Sequence, residues 1–338
     1  MDEAKKRAVE ALESRLVTTY KEAIPRDMQP GAVEAIGTGI PALDLATGVG
    51  GLPRGRIVEV YGAEGSGKTA VALSTIAEVQ RSGGVGAFID AEHALTPSFA
   101  TMLGVKWEDL LLARPDKGED CFAIMEDIAL SGVVDVITLD SVASLVAAQE
   151  LEGDYGDPNV AALAKLMSQS LRRMSGVIAR TNAVAIFVNQ MREKPPIGTF
   201  NARFAPKEQT AGGRALRFYA SMRIEVAQST VYKQGDLRVG HRCRAKIQKN
   251  KVAAPFEQAE WDLYYRNCVV DGQAYEPGID WLGAAIDGAL GRGIITQRSS
   301  FYYLVVDDVE ILKTNGLKAF RKALETDESL LDAFLERI

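Results

Sequence analysis

Cysteine and long apolar runs are scarce in this chain of 338 residues. Its three cysteines, Cys121, Cys243 and Cys268, lie far apart and form no CxxC pair, which argues against a disulfide framework or a zinc module. No apolar run approaches the roughly 18–20 residues that a membrane span needs. The start, MDEAKKRAVEALESR, is charged and lacks an apolar secretory stretch. We therefore expect a cytoplasmic protein with reduced thiols and no membrane partner.

Charge is unevenly distributed, although the net charge is only −6. Residues 1–164 carry 13 basic and 26 acidic side chains, residues 165–251 carry 18 and 4, and residues 252–338 carry 8 and 15. A segment at +14 in an acidic chain is a candidate polyanion surface, because neutralised phosphates release condensed counterions. A solvated face balanced by the acidic segments fits equally well, and charge alone leaves both interpretations open.

Alternating β-rich and helical runs predict an α/β fold. We expect buried strands at 56–61, 85–89, 135–139 and 183–188 and helices at 68–82, 119–131 and 160–180. This alternation is typical of a mostly parallel, twisted sheet with helices on both faces. Closely spaced runs at 218–226, 242–249 and 258–265 are more typical of antiparallel extensions of that sheet.

Breaker residues divide the chain into three predicted parts. Residues 1–32 contain an amphipathic helix and a linker, and the helix needs an apolar partner, either the protein's own core or a neighbouring subunit. Residues 33–270 form the α/β core. Residues 271–338 form a small α/β domain. Its predicted helices are at 279–290, 316–325 and 328–337, and its predicted strand is at 301–306.

A phosphate-binding loop is the most specific short motif. It fits GxxxxGK[ST] and consists of Gly62, Ala63, Glu64, Gly65, Ser66, Gly67, Lys68 and Thr69. The strand IVEVY leads in and the helical run TAVALSTIAEV leads out, as this motif requires. Glycines let backbone N–H groups curl around phosphates, and the helix adds its positive N-terminal end. Lys68 is expected to reach the β- and γ-phosphates and Thr69 to bind Mg²⁺.

Carboxylates follow two of the predicted strands. VITLD ends in Asp140, which suits the acidic residue that holds Mg²⁺ through water. IDAEH offers Glu92 and Asp90, and strand ends of such a sheet converge on the ligand crevice. Phosphoryl transfer to water needs a group that orients or deprotonates the nucleophile. We choose Glu92 for that role, and composition leaves Asp90 open as the alternative.

Long stretches of the chain resemble the bacterial RecA recombinases, in order and over nearly its full length. They are LDLATGVGGLPRGRIVEVYG, GAEGSGKT, AFIDAEHAL, VDVITLDSVASL, the segment from LEGDYGD to MSQSLRR, IFVNQ, AGGRALRFYAS and QKNKVAAPFEQAEW. The resemblance implies a P-loop NTPase core and an ATP-dependent recombinase that forms a helical filament on single-stranded DNA. Such a protein holds ATP between subunits, pairs its strand with a homologous duplex, and acts in DNA repair and the SOS response. The family also promotes self-cleavage of a repressor, and the sequence leaves open whether this chain keeps that role.

The resemblance also implies roles for individual residues. Glu92 corresponds to the water-activating glutamate, and Gln190 to the glutamine that senses the γ-phosphate and relays nucleotide state to a DNA-binding loop. Lys249 and Lys251 correspond to a pair that reaches the neighbouring subunit's ATP. Lysines two apart point the same way from a strand, and two exposed ammonium groups act like a finger supplied in trans.

Two segments, about 152–173 and 191–213, correspond to the family's DNA loops. Their candidate contacts are Ser168, Arg172, Arg173, Arg192, Lys194, Phe204, Gly212 and Gly213. Cations are expected to track the backbone of single- and double-stranded DNA, an apolar side chain to wedge between bases, and the two glycines to open a helix with bare N–H groups. The first helix and the strand around Phe218 are candidates for the subunit contact, although Phe218 fits a core position equally well.

Some positions depart from the family pattern. Thr96 and Phe99 stand where the family usually has Asp and Tyr near the adenine, which leaves nucleotide selectivity open, while Tyr265 is expected to stack on the base. Two other functions share this core: a hexameric helicase and a mediator-type ATPase without strand exchange. A weakly catalytic structural or regulatory ATP-binding protein fits less well, because the chain has all five expected site residues: Lys68, Thr69, Glu92, Asp140 and Gln190.

Overall fold

The protein forms two compact units, residues 1–33 and residues 34–338. In a computed structural model, residues 2–19, 33–151, 162–193, 208–307 and 309–338 are described. The first unit contains one helix, α1 (Glu3–Thr19), where amphipathic spacing predicts it. Val9 and Leu12 on this helix are exposed.

The second unit contains the remaining described helices and all the described strands. The helices are α2 (Pro41–Thr47), α3 (Lys68–Arg81), α4 (Pro97–Met102), α5 (Gly118–Leu130), α6 (Ala148–Leu151), α7 (Ala162–Thr181), α8 (Ala215–Tyr219), α9 (Trp281–Gly291), α10 (Leu317–Thr326) and α11 (Glu328–Leu335). The strands are β1 (Ala35–Ile36), β2 (Leu52–Pro53), β3 (Ile57–Gly62), β4 (Gly86–Asp90), β5 (Leu111–Ala113), β6 (Val136–Asp140), β7 (Val184–Glu193), β8 (Glu208–Thr210), β9 (Met222–Gln234), β10 (Leu237–Asn250), β11 (Gln258–Tyr264), β12 (Cys268–Val270), β13 (Gln273–Tyr275), β14 (Gly278–Ile279), β15 (Ile295–Arg298), β16 (Phe301–Val306) and β17 (Val309–Asn315).

A large mixed sheet forms the centre of the second unit. Its strand order is β14-β11-β10-β9-β3-β7-β6-β4-β5, and β8 pairs with β7. The pairs from β9 to β5 are parallel. The strands β10, β11 and β14 extend the sheet antiparallel. The predicted P-loop α/β architecture is confirmed, and so is the antiparallel extension for the runs at 242–249 and 258–265. For the run at 218–226 the antiparallel prediction is wrong towards the sheet centre, because β9 pairs parallel with β3 and antiparallel only with β10.

Two apolar cores cover the two faces of this sheet. One core includes Val71 and Leu73 of α3. The other includes Phe122 of α5 and Met174 of α7. The residues of β3, β4 and β6 are buried throughout, as expected for parallel strands covered on both sides. This arrangement brings the carboxyl ends of β3, β4, β6 and β7 to one edge of the sheet.

A smaller antiparallel sheet lies near the C-terminus, with strand order β15-β16-β17. Its own apolar cluster includes Leu304, Phe320 and Phe334, contributed by β16, α10 and α11. The helices and the strand predicted after residue 271 are present, whereas β15 and β17 were not predicted, because charged and polar residues interrupt their apolar pattern. The boundary drawn at residue 270 stays a prediction.

The prediction of a strand across 218–226 is wrong in its first part. Residues 215–219 form the short helix α8, and β9 begins only at Met222. Phe218 lies on this helix with 68% of its surface exposed, so it is not a core residue. Within the described ranges, no helix combines the length and apolar character that crossing a membrane requires.

Candidate functional site

The phosphate-loop motif lies between the carboxyl end of β3 and the first turn of α3. Its first residue must be glycine, because a Cβ at Gly62 would lie 2.0 Å from the carbonyl oxygen of Val226 on the adjacent strand. The helix α3 begins after Gly67 without a side-chain cap. Its first N–H groups are therefore left for another acceptor, and a phosphate is the usual one.

A cavity of about 290 Å³ opens against this loop, which is at the lower limit of small-molecule pockets (~300–1,000 Å³). Lys68 and Thr69 line it, and so do Phe99 and Tyr265. Lys68 Nζ donates to the carbonyl oxygen of Ala63 at 2.7 Å, so the ammonium is folded over the loop. Burial lowers the pKa of Lys68. A buried cation beside free N–H groups fits a polyphosphate.

Thr69 and Asp140 meet at the side of the cavity. Thr69 Oγ1 donates to Asp140 Oδ2 at 2.6 Å, and the carboxylate is buried. Burial raises the pKa of Asp140 to about 7, against the opposing effect of this hydrogen bond. Among the described residues, no group of three or more His, Cys, Asp or Glu side chains is placed to hold a metal. Mg²⁺ is usually bound by one or two protein oxygens, while water and phosphate oxygens complete its coordination shell. The hydroxyl of Thr69 and the carboxylate of Asp140 therefore fit this ion.

Glu92 is held at the mouth of the cavity by three donors. Its Oε1 accepts from Ser141 Oγ at 2.5 Å, from Ser144 Oγ at 3.2 Å and from Gln190 Nε2 at 3.2 Å. The two serines are not among the sequence-predicted residues. The position of Ser141 directly after Asp140 was an available signal, because neighbouring strand ends converge.

Gln190 lies near the end of β7, next to β3 (Gly62↔Gln190). Beyond it, β7 pairs with β8 as a short antiparallel ribbon, with Met191 opposite Thr210. The neighbouring Asn189 is buried, and its Nδ2 donates to Glu59 Oε1 at 3.0 Å and to the Ala211 carbonyl at 3.1 Å. The base of the second predicted DNA segment is thus tied to the strand that ends at the cavity.

Lys249 and Lys251 differ from the predicted pair of exposed, parallel ammonium groups. Lys249 is half-buried on β10, and its Nζ donates to the carbonyl oxygens of Arg217 at 2.7 Å and Phe218 at 3.2 Å. Lys251 lies one residue past the end of β10 and is exposed. A register shift between Ile247 and Lys249 also interrupts the regular alternation. The prediction that both lysines project from a strand is therefore wrong for Lys251.

The described DNA candidates of the first segment lie on α7. Ser168 is half-buried and Arg172 is exposed, one helical turn apart. Arg173 is exposed as well, but its Nη2 lies 2.8 Å from Glu126 Oε2 on α5. This ion pair accounts for the charge of Arg173 within the protomer.

The second DNA segment is described only at its two ends. Arg192 lies in β7, with its side chain outside the described residues, and Lys194 and Phe204 lie outside them entirely. Gly212 and Gly213 do not open a helix, because α8 begins at Ala215. Both have positive φ (76° and 78°), and a Cβ at Gly212 would lie 2.8 Å from Val142 Cγ1. Backbone conformation and close packing explain these glycines.

Thr96, Phe99 and Tyr265 lie near or in the apolar part of the cavity. Thr96 Oγ1 accepts from Phe99 N at 3.3 Å, so this hydroxyl caps α4. Phe99 and Tyr265 both line the cavity. Tyr265 Oη contacts a buried histidine, His241, which the sequence analysis did not single out.

The chain is similar to several known proteins. The crystal structure of the RadB recombinase has a TM-score of 0.49 to this chain, at 19% identity, over 68% of this chain and 96% of that one. Protein RecA of Clostridioides difficile (strain 630) is 48% identical over 271 residues, which cover 80% of this chain and 74% of that protein. Protein RecA of Thermus thermophilus is 44% identical over 341 residues, which cover 100% of this chain and 96% of that protein. The family model of the RecA N-terminal domain matches residues 10–270. The chain therefore belongs to the RecA family of ATP-dependent recombinases.

Proposed function

We propose that this protein binds and hydrolyses Mg²⁺·ATP between neighbouring protomers of a helical filament on single-stranded DNA. In that filament it pairs the bound strand with a homologous duplex and exchanges strands, as part of DNA repair in the cytoplasm. The observation that carries the proposal is the contact between Glu92 and Gln190, because it joins the end of the phosphate cavity to the base of the second DNA segment.

The residues around the cavity divide the work of hydrolysis. The loop N–H groups and Lys68 bind the phosphates, and Thr69 and Asp140 hold Mg²⁺, which neutralises phosphate charge when bound. Glu92 is exposed to solvent at the mouth and orients the attacking water. Ser141 and Ser144 both donate to it and hold its carboxylate in place.

Gln190 provides the connection to DNA. A γ-phosphate beside Glu92 competes for the Gln190 amide, since both are anionic acceptors within reach of one donor. Movement of this side chain acts on β7, whose continuation pairs with β8 at the base of the segment. The buried bonds of Asn189 to Glu59 and to the Ala211 carbonyl transmit the shift to the segment's far end. The segment thereby has two arrangements, selected by the nucleotide.

A second protomer completes the ATP site. The small cavity suits a nucleotide whose outer side is covered by a neighbour. Lys249 and Lys251 carry the covering charge, and the exposed Phe218 on α8 lies beside the Lys249 contact. Because the two contacting surfaces differ, each protomer offers a free surface to the next, and assembly continues as a filament.

DNA is bound through its phosphates. The basic segment supplies Arg172 on α7 together with the predicted contacts Ser168, Arg192 and Lys194, and Phe204 is the predicted wedge between bases. Arg173 takes part only where a DNA phosphate replaces Glu126 as its partner. Phosphate contacts carry no sequence information, so affinity is nearly independent of sequence and falls steeply with salt.

A strand-exchange assay tests the function directly. Wild-type protein should exchange a labelled strand with a homologous duplex when ATP is present and fail to do so with ADP or without nucleotide. Lys68→Ala should fail under all three conditions, while Lys106→Ala, an exposed lysine outside the cavity, should behave as wild type. Closed rings in electron micrographs together with duplex unwinding would contradict the proposal and favour a helicase.

A further inference from the structure

A buried histidine lies between the apolar wall of the cavity and the phosphate loop. His241, on β10, has only 1% of its surface exposed. Its Nδ1 lies 2.5 Å from Tyr265 Oη, and its Nε2 lies 3.2 Å from Cys243 Sγ, two residues along the same strand. His241 and Tyr265 both line the cavity.

The other side of the imidazole contacts the phosphate loop. A Cβ at Gly67 would lie 2.9 Å from Cys243 Sγ and 3.8 Å from His241 Nε2, so these two side chains pack directly against the loop backbone. Burial lowers the pKa of His241, and a hydrogen bond to the Ser66 backbone acts in the opposite direction. Burial thus favours the neutral ring, which touches the loop through its Nε2 edge.

The neighbours of the ring favour one of its two neutral tautomers. Arg238 Nη2 donates to Tyr265 Oη at 3.2 Å, and a guanidinium has only donors. The hydroxyl oxygen accepts that bond, so its own proton is free for His241 Nδ1. We assign the imidazole proton to Nε2, where it faces the loop backbone. The result is a continuous chain of donors from Arg238 through Tyr265 and His241 to the phosphate loop.

We propose that His241 is a positioning residue for the nucleotide: it fixes the Tyr265 ring against the nucleobase and ties that ring to the phosphate loop. This inference rests on the proposal that the cavity binds a nucleoside triphosphate. The distance between the phosphate loop and the Tyr265 ring is then fixed. A fixed distance suits a ligand that carries both a base and a polyphosphate. Inorganic polyphosphate uses only the loop and gains nothing from His241.

Equilibrium binding of ATP and of inorganic tripolyphosphate, each with Mg²⁺, tests this role without relying on hydrolysis. Loss of the His241–Tyr265 hydrogen bond should weaken ATP binding about fivefold in His241→Leu and at least as much in Tyr265→Phe, which keeps the ring but also loses the bond from Arg238. The double variant should lose no more than Tyr265→Phe alone, since the bond that His241→Leu removes is already absent there. His241→Asn, which offers an acceptor near the position of Nδ1, should recover most of the affinity. Tripolyphosphate affinity should stay at the wild-type value in all of them.

The matched control is Tyr232→Phe, which removes a hydroxyl bonded to Asp262 on the opposite face of the sheet from His241 and outside the cavity. It should bind ATP as wild type does. Additive losses in the double variant, an equal loss of tripolyphosphate affinity, or wild-type ATP affinity in Tyr265→Phe would each overturn the inference. If His241→Leu does not fold, Tyr265→Phe and His241→Asn decide. A wild-type protein that binds neither ligand would instead overturn the proposed function.

Discussion

Arg114 and Asp90 form an ion pair beside the cavity, with Arg114 Nε 3.1 Å from Asp90 Oδ2. Asp90 is buried, and its carboxylate also accepts from the backbone N–H groups of Ala94 at 3.2 Å and Leu95 at 3.1 Å. These bonds hold the turn that follows β4 and leave this carboxylate engaged within the protein. Glu92 is exposed two residues later, which favours it over Asp90 as the group that orients water.

Glu92→Gln should therefore bind ATP within a few-fold of wild type and hydrolyse it about 10²–10⁴ times more slowly, because a positioned base is lost while the phosphate contacts remain. Phosphate release in the presence of single-stranded DNA measures the rate. Asp90→Asn is the comparison: it should lower the melting temperature, because Arg114 loses its charged partner, yet keep measurable turnover. Rapid hydrolysis by Glu92→Gln with none by Asp90→Asn would reverse the assignment.

Gln190→Ala should uncouple DNA binding from the nucleotide. The Gln190 amide is the described donor that links Glu92 to β7. Without this amide, binding of the γ-phosphate no longer changes the position of the second DNA segment. The affinity for single-stranded DNA, measured by fluorescence anisotropy with ATP and with ADP, should become equal in this variant. Gln248→Ala removes a glutamine that bonds to Glu225 instead and should keep the wild-type difference. A nucleotide effect that survives in Gln190→Ala would exclude this route.

A site shared between protomers should show complementation. Lys251→Ala alone and Glu92→Gln alone should each lose DNA-dependent hydrolysis, the first through the charge it offers to its neighbour and the second through its own cavity. Mixed filaments contain junctions with an intact Glu92 from one variant and an intact Lys251 from the other. Equimolar mixing should therefore restore roughly a quarter of the wild-type rate, as expected from random assembly of subunits around a shared site. Mixtures as inactive as the separate variants would place Lys251 outside the neighbour's site.

The raised pKa of Asp140 predicts a pH-dependent stability in the absence of nucleotide and metal. Burial raises it from 3.8 to about 7, so between these values the folded protein binds a proton that the unfolded chain has released. Its contribution to the free energy of unfolding is complete below pH 3.8 and is lost as the pH rises through about 7.

Urea unfolding at pH 5, 6, 7 and 8 measures this effect. The advantage of wild type over Asp140→Asn should shrink with rising pH by up to about 1.4 kcal/mol per unit, and level off above about pH 7. Asp109→Asn, at an exposed position, serves as the control. A constant difference between wild type and Asp140→Asn would show that burial does not keep this carboxyl protonated.

Local patterns predicted most of the fold. Buried apolar runs that alternate with helical segments predicted the parallel sheet, because strands covered on both faces consist of continuous apolar residues. They failed at Phe218, where a five-residue helix precedes the strand, since so short a helix leaves no periodicity to detect. They also missed β15 and β17, whose charged and polar residues lie on a sheet with one exposed side.

The sequence by itself predicted the phosphate loop, which includes Thr69, and the strand-ending Asp140, because glycine spacing, a lysine and a strand-ending carboxylate are local features that phosphate and Mg²⁺ binding require. Only the tertiary structure decided which partners the other groups meet. Arg173 pairs with Glu126, Lys249 donates to the end of α8, and His241 joins Tyr265 to the phosphate loop. Such contacts join residues 24 to 47 positions apart in the chain, and only the packing of strands and helices brings them within hydrogen-bonding distance.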